Sequence, residues 1–225
     1  IGVLASLGFD TVKVHRRPVV AVLSTGDELV NPGEPITPGK IYDSNSSSLI
    51  GAILQSGGIP KYVGIARDNL DSVKGVLTHA MEADLVISSA GVSKGDYDMV
   101  KQALNESGDL DFWSVRMRPA KPLAFGSLNR DNNSTVPLVG LPGNPVSSLV
   151  AFEQFCRPAI RKMLGKTKLV RESLRGILTG AIHNYDGRRV YARVNVESDG
   201  GTLIATPTGN QDSNILTSMA RANAF

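Results

Sequence analysis

The chain has 225 residues and a formal net charge of +3, because its 24 Lys and Arg residues outnumber its 21 Asp and Glu residues. Its hydrophobic share of 41% and charged share of 20% are ordinary for a globular protein and argue against disorder. The small charge, without basic runs interleaved with aromatics, argues against nucleic acid as a partner, and no apolar run reaches the ~20 residues of a membrane-spanning helix. The single cysteine, Cys156, excludes an internal disulfide and favours a reducing, cytoplasmic setting.

The chain divides into three regions by composition and periodicity. Residues 1–17 resemble the end of an apolar helix capped by Gly8, so we interpret the sequence as a fragment that opens with a remnant of a preceding domain or linker. Residues 18–168 alternate short β-rich runs with helical patterns, which predicts an α/β domain with a mostly parallel sheet flanked by helices. Residues 172–225 are β-rich around a turn at 199–201, which predicts a smaller β domain.

The α/β region contains a defined series of predicted elements. Its predicted strands span residues 19–23, 62–66, 85–89, 112–117, 123–126 and 136–139. Apolar residues at helical spacing predict one helix that Asp43 or Ser44 caps and a second around 70–81. A short third helix is predicted around 100–104, and a fourth begins at Pro145 and continues to Met163.

Polar, glycine-rich loops follow three of the predicted strands. They span residues 24–28, 91–98 and 140–144, whereas the connections at the opposite ends of the strands are short and featureless. In an open parallel sheet, ligands bind beyond the carboxyl ends of the strands. We therefore expect the three loops to meet at one edge of the sheet.

The loop at 140–144 leads into a predicted helix and has the features of an anion site. Gly143, Asn144 and Pro145 are followed by Ser147 and Ser148, so free backbone N–H groups and two hydroxyls fall in the first helical turn. Unpaired N–H groups and the helix dipole both favour a bound anion. The alternative is an ordinary loop in which Asn144 caps the helix.

Five carboxylates fall in loops that are predicted at this edge of the sheet. They are Asp27, Glu28, Asp68, Asp96 and Asp98. Carboxylates grouped around a phosphate site commonly hold Mg²⁺ through their oxygens. The alternative is capping and surface solvation, and for Asp68 helix capping alone is a sufficient explanation.

Three cations occur within six residues, at Arg116, Arg118 and Lys121. Cations held by a rigid, proline-containing turn suit a compact oxyanion, whereas an exposed strand edge decorated with Arg is the alternative. In the β region, a polar loop spans 208–214, and the strand before it carries Arg189 and Arg193. The histidines lack the spacing of metal ligands and are assigned no metal or catalytic role.

Six segments in order give the chain a specific family resemblance. They are RPVVAVLSTGDELV, GKIYDSN, SSAGVSKGDYD, RMRPAKPLAFG, GLPGNPVSS, and TGNQDSN followed by MARANA. Together they resemble the molybdopterin molybdenumtransferases of the MoeA/gephyrin type along nearly the whole chain. The resemblance implies a molybdopterin-binding α/β fold for the larger domain and a C-terminal β-barrel domain for residues 172–225.

The resemblance also implies a function in molybdenum cofactor biosynthesis. Members of this family bind adenylated molybdopterin, hydrolyse its phosphoanhydride with a divalent cation, insert molybdate and release AMP. They act as homodimers, and a molybdopterin adenylyltransferase is a possible partner. Two other functions stay open: a molybdopterin adenylyltransferase-like enzyme of the same pathway, and a non-catalytic, gephyrin-like binding scaffold.

Residue by residue, the resemblance implies three groups at the site. Glu28, Asp68 and Asp98 would serve hydrolysis, and these three with Asp27 and Asp96 would bind Mg²⁺. The substrate pterin and its phosphate would be held by Ser24, Thr25, Gly26, Gly91, Ser93, Gly143, Asn144, Ser147 and Ser148. Molybdate would be held by Arg118, Lys121, Pro122, Arg193 and Ser213, with Arg189 as the alternative to Arg193.

The sequence departs from the family pattern in three places. Two N-terminal domains are represented only by residues 1–17, and the barrel sequence stops before its usual closing strands. In addition, Ala120 stands between the cations where Gly is more usual. The first departure bears on activity and dimerisation, because the family builds its dimer partly through the N-terminal region.

Overall fold

A computed structural model describes residues 1–90, 102–103, 106–130 and 133–225. The helices are α1 (Gly2–Ser6), α2 (Ser44–Ser56), α3 (Leu70–Ala80), α4 (Pro145–Ala151), α5 (Arg157–Met163) and α6 (Thr217–Arg221). The strands are β1 (Val19–Thr25), β2 (Leu29–Val30), β3 (Ile41–Tyr42), β4 (Ile59–Ala66), β5 (Leu85–Ser89), β6 (Gly108–Ser114), β7 (Met117–Arg118), β8 (Pro122–Asn129), β9 (Thr135–Leu141), β10 (Ile177–Leu178), β11 (Arg189–Val190), β12 (Val194–Asp199) and β13 (Thr202–Pro207). The helix predicted around 100–104 lies mostly outside the described residues.

A six-stranded sheet of order β4-β1-β5-β9-β8-β6 organises the larger domain. Strands β4, β1, β5 and β9 are parallel neighbours, whereas β8 is antiparallel to both β9 and β6. The prediction of a mostly parallel sheet flanked by helices is confirmed. The antiparallel end arises because only residues 130–134 separate β8 from β9 in sequence, enough for hairpin pairing and too few for a crossover helix.

Apolar side chains cover both faces of this sheet. On one face, Leu49 and Ile53 of α2 pack with α4 and α5, and on the other Val73 and Leu77 of α3 are buried. The side chain of Asp43 accepts a hydrogen bond from Ser46 N at 3.0 Å and so caps α2. The predicted apolar stripes are therefore buried at these four positions, whereas Leu54, which the spacing also placed on the α2 stripe, is 53% exposed.

The helix after β9 contains a wide turn that its periodicity did not predict. Helices α4 and α5 are joined without a break by a π-helical segment, Phe152–Cys156. Pro158 lacks the N–H that an α-helix would direct to residue 154, so the local widening is accommodated just before it. Cys156 is fully buried within this segment, and burial raises the pKa of its thiol.

The C-terminal region forms a small β domain, as predicted. Strands β12 and β13 form an antiparallel hairpin, and β10 pairs with β13. Gly200 and Gly201 make the turn with φ values of 53° and 87°, which glycine adopts without steric cost. The described residues of this region form an open three-stranded sheet rather than a closed barrel.

Strand pairing and side-chain hydrogen bonds hold the β domain against the larger domain. Strand β11 pairs in parallel with β7, so that Arg189 lies beside Met117 and Val190 beside Arg118. The Tyr191 hydroxyl also donates to Gln154 Oε1 at 3.0 Å.

Within the described part of the chain, no helix is long and apolar enough to cross a membrane.

Candidate active site

One cavity of about 1080 Å³ lies where the carboxyl ends of the parallel strands face the β domain. Ten predicted site residues line it: Thr25, Glu28, Arg118, Lys121, Pro122, Gly143, Asn144, Ser147, Arg193 and Ser213. Five do not line it: Ser24, Gly26, Asp27, Asp68 and Ser148. The predicted residues Gly91, Ser93, Asp96 and Asp98 lie outside the described residues. Of the predicted carboxylates only Glu28 is shown to line the cavity, where it is joined by residues of the loop before α4 and by the cations Arg118, Lys121 and Arg193.

The loop after β1 directs Glu28 into the cavity. Gly26 has a φ of 145°, and a Cβ at this position would lie 2.5 Å from a carboxylate oxygen of Glu28. Glycine therefore allows the Glu28 carboxylate to fold back over the loop backbone. Its neighbour Thr25 is buried and also lines the cavity.

Asp27 and Asp68 form a reciprocal pair beside this loop. The Asp27 amide donates to Asp68 Oδ2 and the Asp68 amide to Asp27 Oδ1, both at 3.2 Å. Explaining Asp68 as a helix cap is wrong, because Asn69 caps α3 by accepting from Ser72 N at 2.9 Å. Among the described residues, no group of three or more His, Cys, Asp or Glu is arranged to hold a metal ion.

The loop before α4 is joined to the β domain. Val146 N donates to Ser213 O at 3.1 Å, and Asn144 Nδ2 donates to Ser213 Oγ at 2.9 Å. The Asn144 side chain makes no capping bond to its own helix, so the alternative role for Asn144 as a side-chain cap is wrong. One N–H of the predicted anion site is therefore occupied by a carbonyl of the same chain.

Ser148 carries a buried hydroxyl with no hydrogen-bond partner among the described residues. We expect Ser148→Ala either to leave the free energy of unfolding unchanged or to raise it by up to about 1 kcal/mol, because an unpaired buried hydroxyl costs stability. Ser46→Ala is the matched control: its hydroxyl donates to Asp43 Oδ2 at 2.6 Å, so the same change should destabilise. Chemical denaturation measures the free energy of unfolding of both variants. A lower value for Ser148→Ala than for the original chain would contradict the assignment of an unpartnered hydroxyl.

The cationic corner of the cavity is built on β7 and the turn after it. Arg118 donates from its guanidinium to the backbone oxygen of His183, and Lys121 is exposed, with no ion pair to a described carboxylate. Ala120 is buried with a φ of 71°, a left-handed conformation that costs a non-glycine residue roughly 1–2 kcal/mol. This geometry gives a physical reason for the glycine that is more usual here.

Arg193 is only 1% exposed and organises the loop at 208–214. Its Nε donates to Ser218 Oγ and its Nη2 to the Asp212 carbonyl, both at 3.1 Å, and its amide donates to Gln211 Oε1 at 2.8 Å. Burial lowers the pKa of this guanidinium. Of the two alternative arginines, Arg193 lines the cavity and Arg189 does not.

Asn45 and Asp43 line the cavity, although neither was predicted as a site residue. Asn45 Nδ2 donates to Ser89 Oγ at 2.8 Å and to the Gly143 carbonyl at 2.7 Å, which joins α2 to the ends of β5 and β9. Asp43 is 2% exposed and accepts from Ser46, whose hydroxyl also contacts Ser24 Oγ at 2.9 Å. Both residues lie in the GKIYDSN segment, and its family resemblance was the signal that could have identified them.

Comparison with known proteins agrees with this geometry. The model of a probable molybdopterin binding domain matches residues 21–162, and that of the MoeA C-terminal region (domain IV) matches residues 175–225. The chain belongs to the MoeA family of molybdopterin molybdenumtransferases. This assignment confirms the resemblance carried by the six sequence segments.

Individual MoeA-family relatives extend over nearly the whole chain. Molybdopterin molybdenumtransferase 2 of Mycobacterium tuberculosis is 37% identical over 212 residues, covering 91% of this chain and 51% of that protein. Molybdopterin molybdenumtransferase of Bacillus subtilis is 35% identical over 229 residues, covering 99% and 51%. The crystal structure of the molybdopterin biosynthesis MoeA protein from Pyrococcus horikosii superposes with a TM-score of 0.80 at 31% identity, covering 99% of this chain and 52% of that one. The chain therefore spans about half the length of these relatives.

Proposed function

We propose that this chain inserts molybdate into adenylated molybdopterin and releases AMP, in molybdenum cofactor biosynthesis. The main support is the cavity itself, because Glu28, the loop before α4 and three cations from distant parts of the chain line one space. Each group suits one part of the reaction. Family membership and the matched relatives support the same assignment.

The phosphate of the pterin substrate is assigned to the loop before α4. Ser147 lines the cavity in the first helical turn, where the helix dipole favours an anion. Gly143 and Asn144 line it beside Ser147, whereas Ser148, which the proposal also assigns to this group, is buried behind them with its hydroxyl unpartnered among the described residues. The proposal adds Ser24, Thr25, Gly26, Gly91 and Ser93 to this substrate-binding group.

Molybdate is assigned to the cationic corner of the cavity. A dianion needs cations and hydrogen-bond donors, which Arg118, Lys121, Arg193 and Ser213 provide around Pro122. Two of the three cations come from the larger domain and one from the β domain. The pairing of β7 with β11 joins the two domains and so brings these cations together.

Hydrolysis of the phosphoanhydride is assigned to the acidic loop. Water adds to phosphorus, the bridging P–O bond breaks with AMP as the leaving group, and Glu28 is positioned to accept the proton. Mg²⁺ would be held by Glu28 and Asp68 with Asp27, Asp96 and Asp98, and when bound it neutralises charge on the phosphate oxygens. Mg²⁺ commonly takes one or two carboxylates together with substrate phosphates, and among the described carboxylates of this group Glu28 is the one that lines the cavity.

The direct test supplies the chain with adenylated molybdopterin, molybdate and MgCl₂. Molybdate-dependent AMP release with incorporation of molybdenum supports the proposal. Formation of the adenylate from molybdopterin and ATP would instead assign the adenylyltransferase reaction. Binding of a peptide ligand without either turnover would assign the scaffold function.

Lys121 provides a specific test of the molybdate site. We expect Lys121→Ala to raise the molybdate concentration at half-maximal AMP release about tenfold, because a charge-assisted contact is lost. Lys168→Ala removes an equally charged side chain that is 82% exposed and outside the cavity, and it should change nothing. An unchanged molybdate response in Lys121→Ala would remove this residue from the site.

The organisation of the protein is proposed on the same basis. We assign residues 18–168 to the molybdopterin-binding domain and residues 172–225 to the C-terminal β domain. A homodimer, a molybdopterin adenylyltransferase partner and a cytoplasmic location complete the proposal. Size-exclusion chromatography with light scattering tests the dimer directly.

A further inference from the structure

A stacked pair of aromatic rings forms a wall of the cavity that the proposed reaction leaves without a role. His183 and Tyr185 lie between β10 and β11, with ring centroids 5.4 Å apart and an interplanar angle of 9°. Both residues line the cavity. The cavity therefore contains a flat, preformed aromatic surface in addition to its charged groups.

The segment that carries these rings is held in place from both ends. Arg118 donates to the backbone oxygen of His183, which fixes the segment to the cationic corner. Asn184 Nδ2 donates to the Arg188 carbonyl at 2.9 Å, and Arg188 Nε to Asp186 Oδ2 at 2.7 Å. This contact with Arg188 lowers the pKa of Asp186 to about 2, so the pair stays charged.

The ring of Tyr185 is open to a ligand. Tyr185 borders the cavity and is 83% exposed, so most of its ring surface is accessible to a planar ligand. Aromatic rings stack in parallel with an offset, so a third planar ring can continue the existing pair. The cavity, at about 1080 Å³, slightly exceeds the roughly 300–1,000 Å³ typical of small-molecule sites, so a compact oxyanion would leave most of it empty.

We propose that His183 and Tyr185 form a stacking shelf for the planar heterocycle of a phosphate-bearing substrate, held beside the cationic corner by the bond from Arg118 to the His183 carbonyl. The inference rests on the proposed function, because it identifies how the substrate of that same cavity is held. The ring has two possible sources, the adenine or the pterin of the substrate.

Calorimetric titration tests the shelf with three probes: AMP, 6-hydroxymethylpterin monophosphate, and ribose 5-phosphate, which has no heterocycle. We expect Tyr185→Ala to weaken binding of AMP or of the pterin phosphate about tenfold, because a base stacked on an aromatic side chain loses that contact. Ribose 5-phosphate should bind the variant and the original chain equally. Tyr185→Phe keeps the ring and should retain affinity.

Trp113→Ala is the matched control, since Trp113 is 58% exposed and lies outside the cavity. A loss confined to AMP assigns the shelf to adenine, and a loss confined to the pterin phosphate assigns it to the pterin. The shelf is rejected if neither ring binds, if Tyr185→Ala binds both rings normally, or if ribose 5-phosphate weakens equally. Tyr185-dependent ring binding without molybdate-dependent AMP release would keep the shelf and reject the proposed function.

Discussion

Glu28→Gln is expected to slow AMP release about 10²-fold or more, the range in which a positioned acid or base contributes. The substitution keeps the shape of the side chain and removes its charge. Glu28 lines the cavity, and Gly26 allows its carboxylate to fold over the loop. Because Glu28 is exposed, the free energy of unfolding should change by less than about 0.5 kcal/mol.

Steady-state AMP release at saturating substrate measures this effect, with thermal denaturation as the check on folding. Glu172→Gln is the matched control, because its carboxylate is 83% exposed, pairs only with Lys168 at 3.4 Å among the described residues, and lies outside the cavity. Such exposed pairs contribute little. Normal turnover by Glu28→Gln would show that this carboxylate has no role in hydrolysis. The role would then fall to the remaining acidic residues.

The sequence was sufficient to predict where the cavity lies. The loops after β1, β5 and β9 were expected at one edge because they are polar and follow strands of a parallel sheet. In the structure these three strands are adjacent, and the two loops whose residues are described, represented by Glu28 and Gly143, line one cavity. Local pattern and the geometry of parallel strands together carried this prediction.

Contacts between distant segments could not be predicted from local pattern. Asn144 and Ser213 are 69 positions apart and meet only when the β domain packs against α4. The predicted anion site therefore has one N–H occupied by a carbonyl of Ser213. The stacked ring pair was also missed, because His183 has no metal-ligand spacing in the sequence and no local pattern indicates that its ring stacks on Tyr185.

Arg193 lines the cavity but directs its guanidinium bonds to the protein. The family resemblance assigned it to molybdate, and it does line the cavity. Its Nε and Nη2 are nevertheless bonded to Ser218 and to the Asp212 carbonyl. A buried guanidinium with these bonds supports the loop at 208–214, and Ser213 of that loop contacts Asn144. Its effect on molybdate can therefore be indirect.

Arg193→Leu should accordingly lower the free energy of unfolding by about 3 kcal/mol, because it removes charged hydrogen bonds from a buried position. Arg189→Leu is the matched control: Arg189 is exposed and outside the cavity, and its pairing with β7 uses the backbone. Chemical denaturation measures stability, and equilibrium dialysis measures bound molybdate.

The combination of the two measurements separates direct from indirect action. If Arg193 acts by supporting the loop, Arg193→Leu loses stability and molybdate binding together, and Arg193→Lys restores neither fully because an ammonium cannot reproduce the planar fork of donors. If Arg193→Leu loses molybdate binding at unchanged stability, the guanidinium contacts the oxyanion and its bonds to Ser218 and Asp212 are dispensable. Loss of stability with normal molybdate binding would leave Arg118 and Lys121 as the cations that hold the substrate.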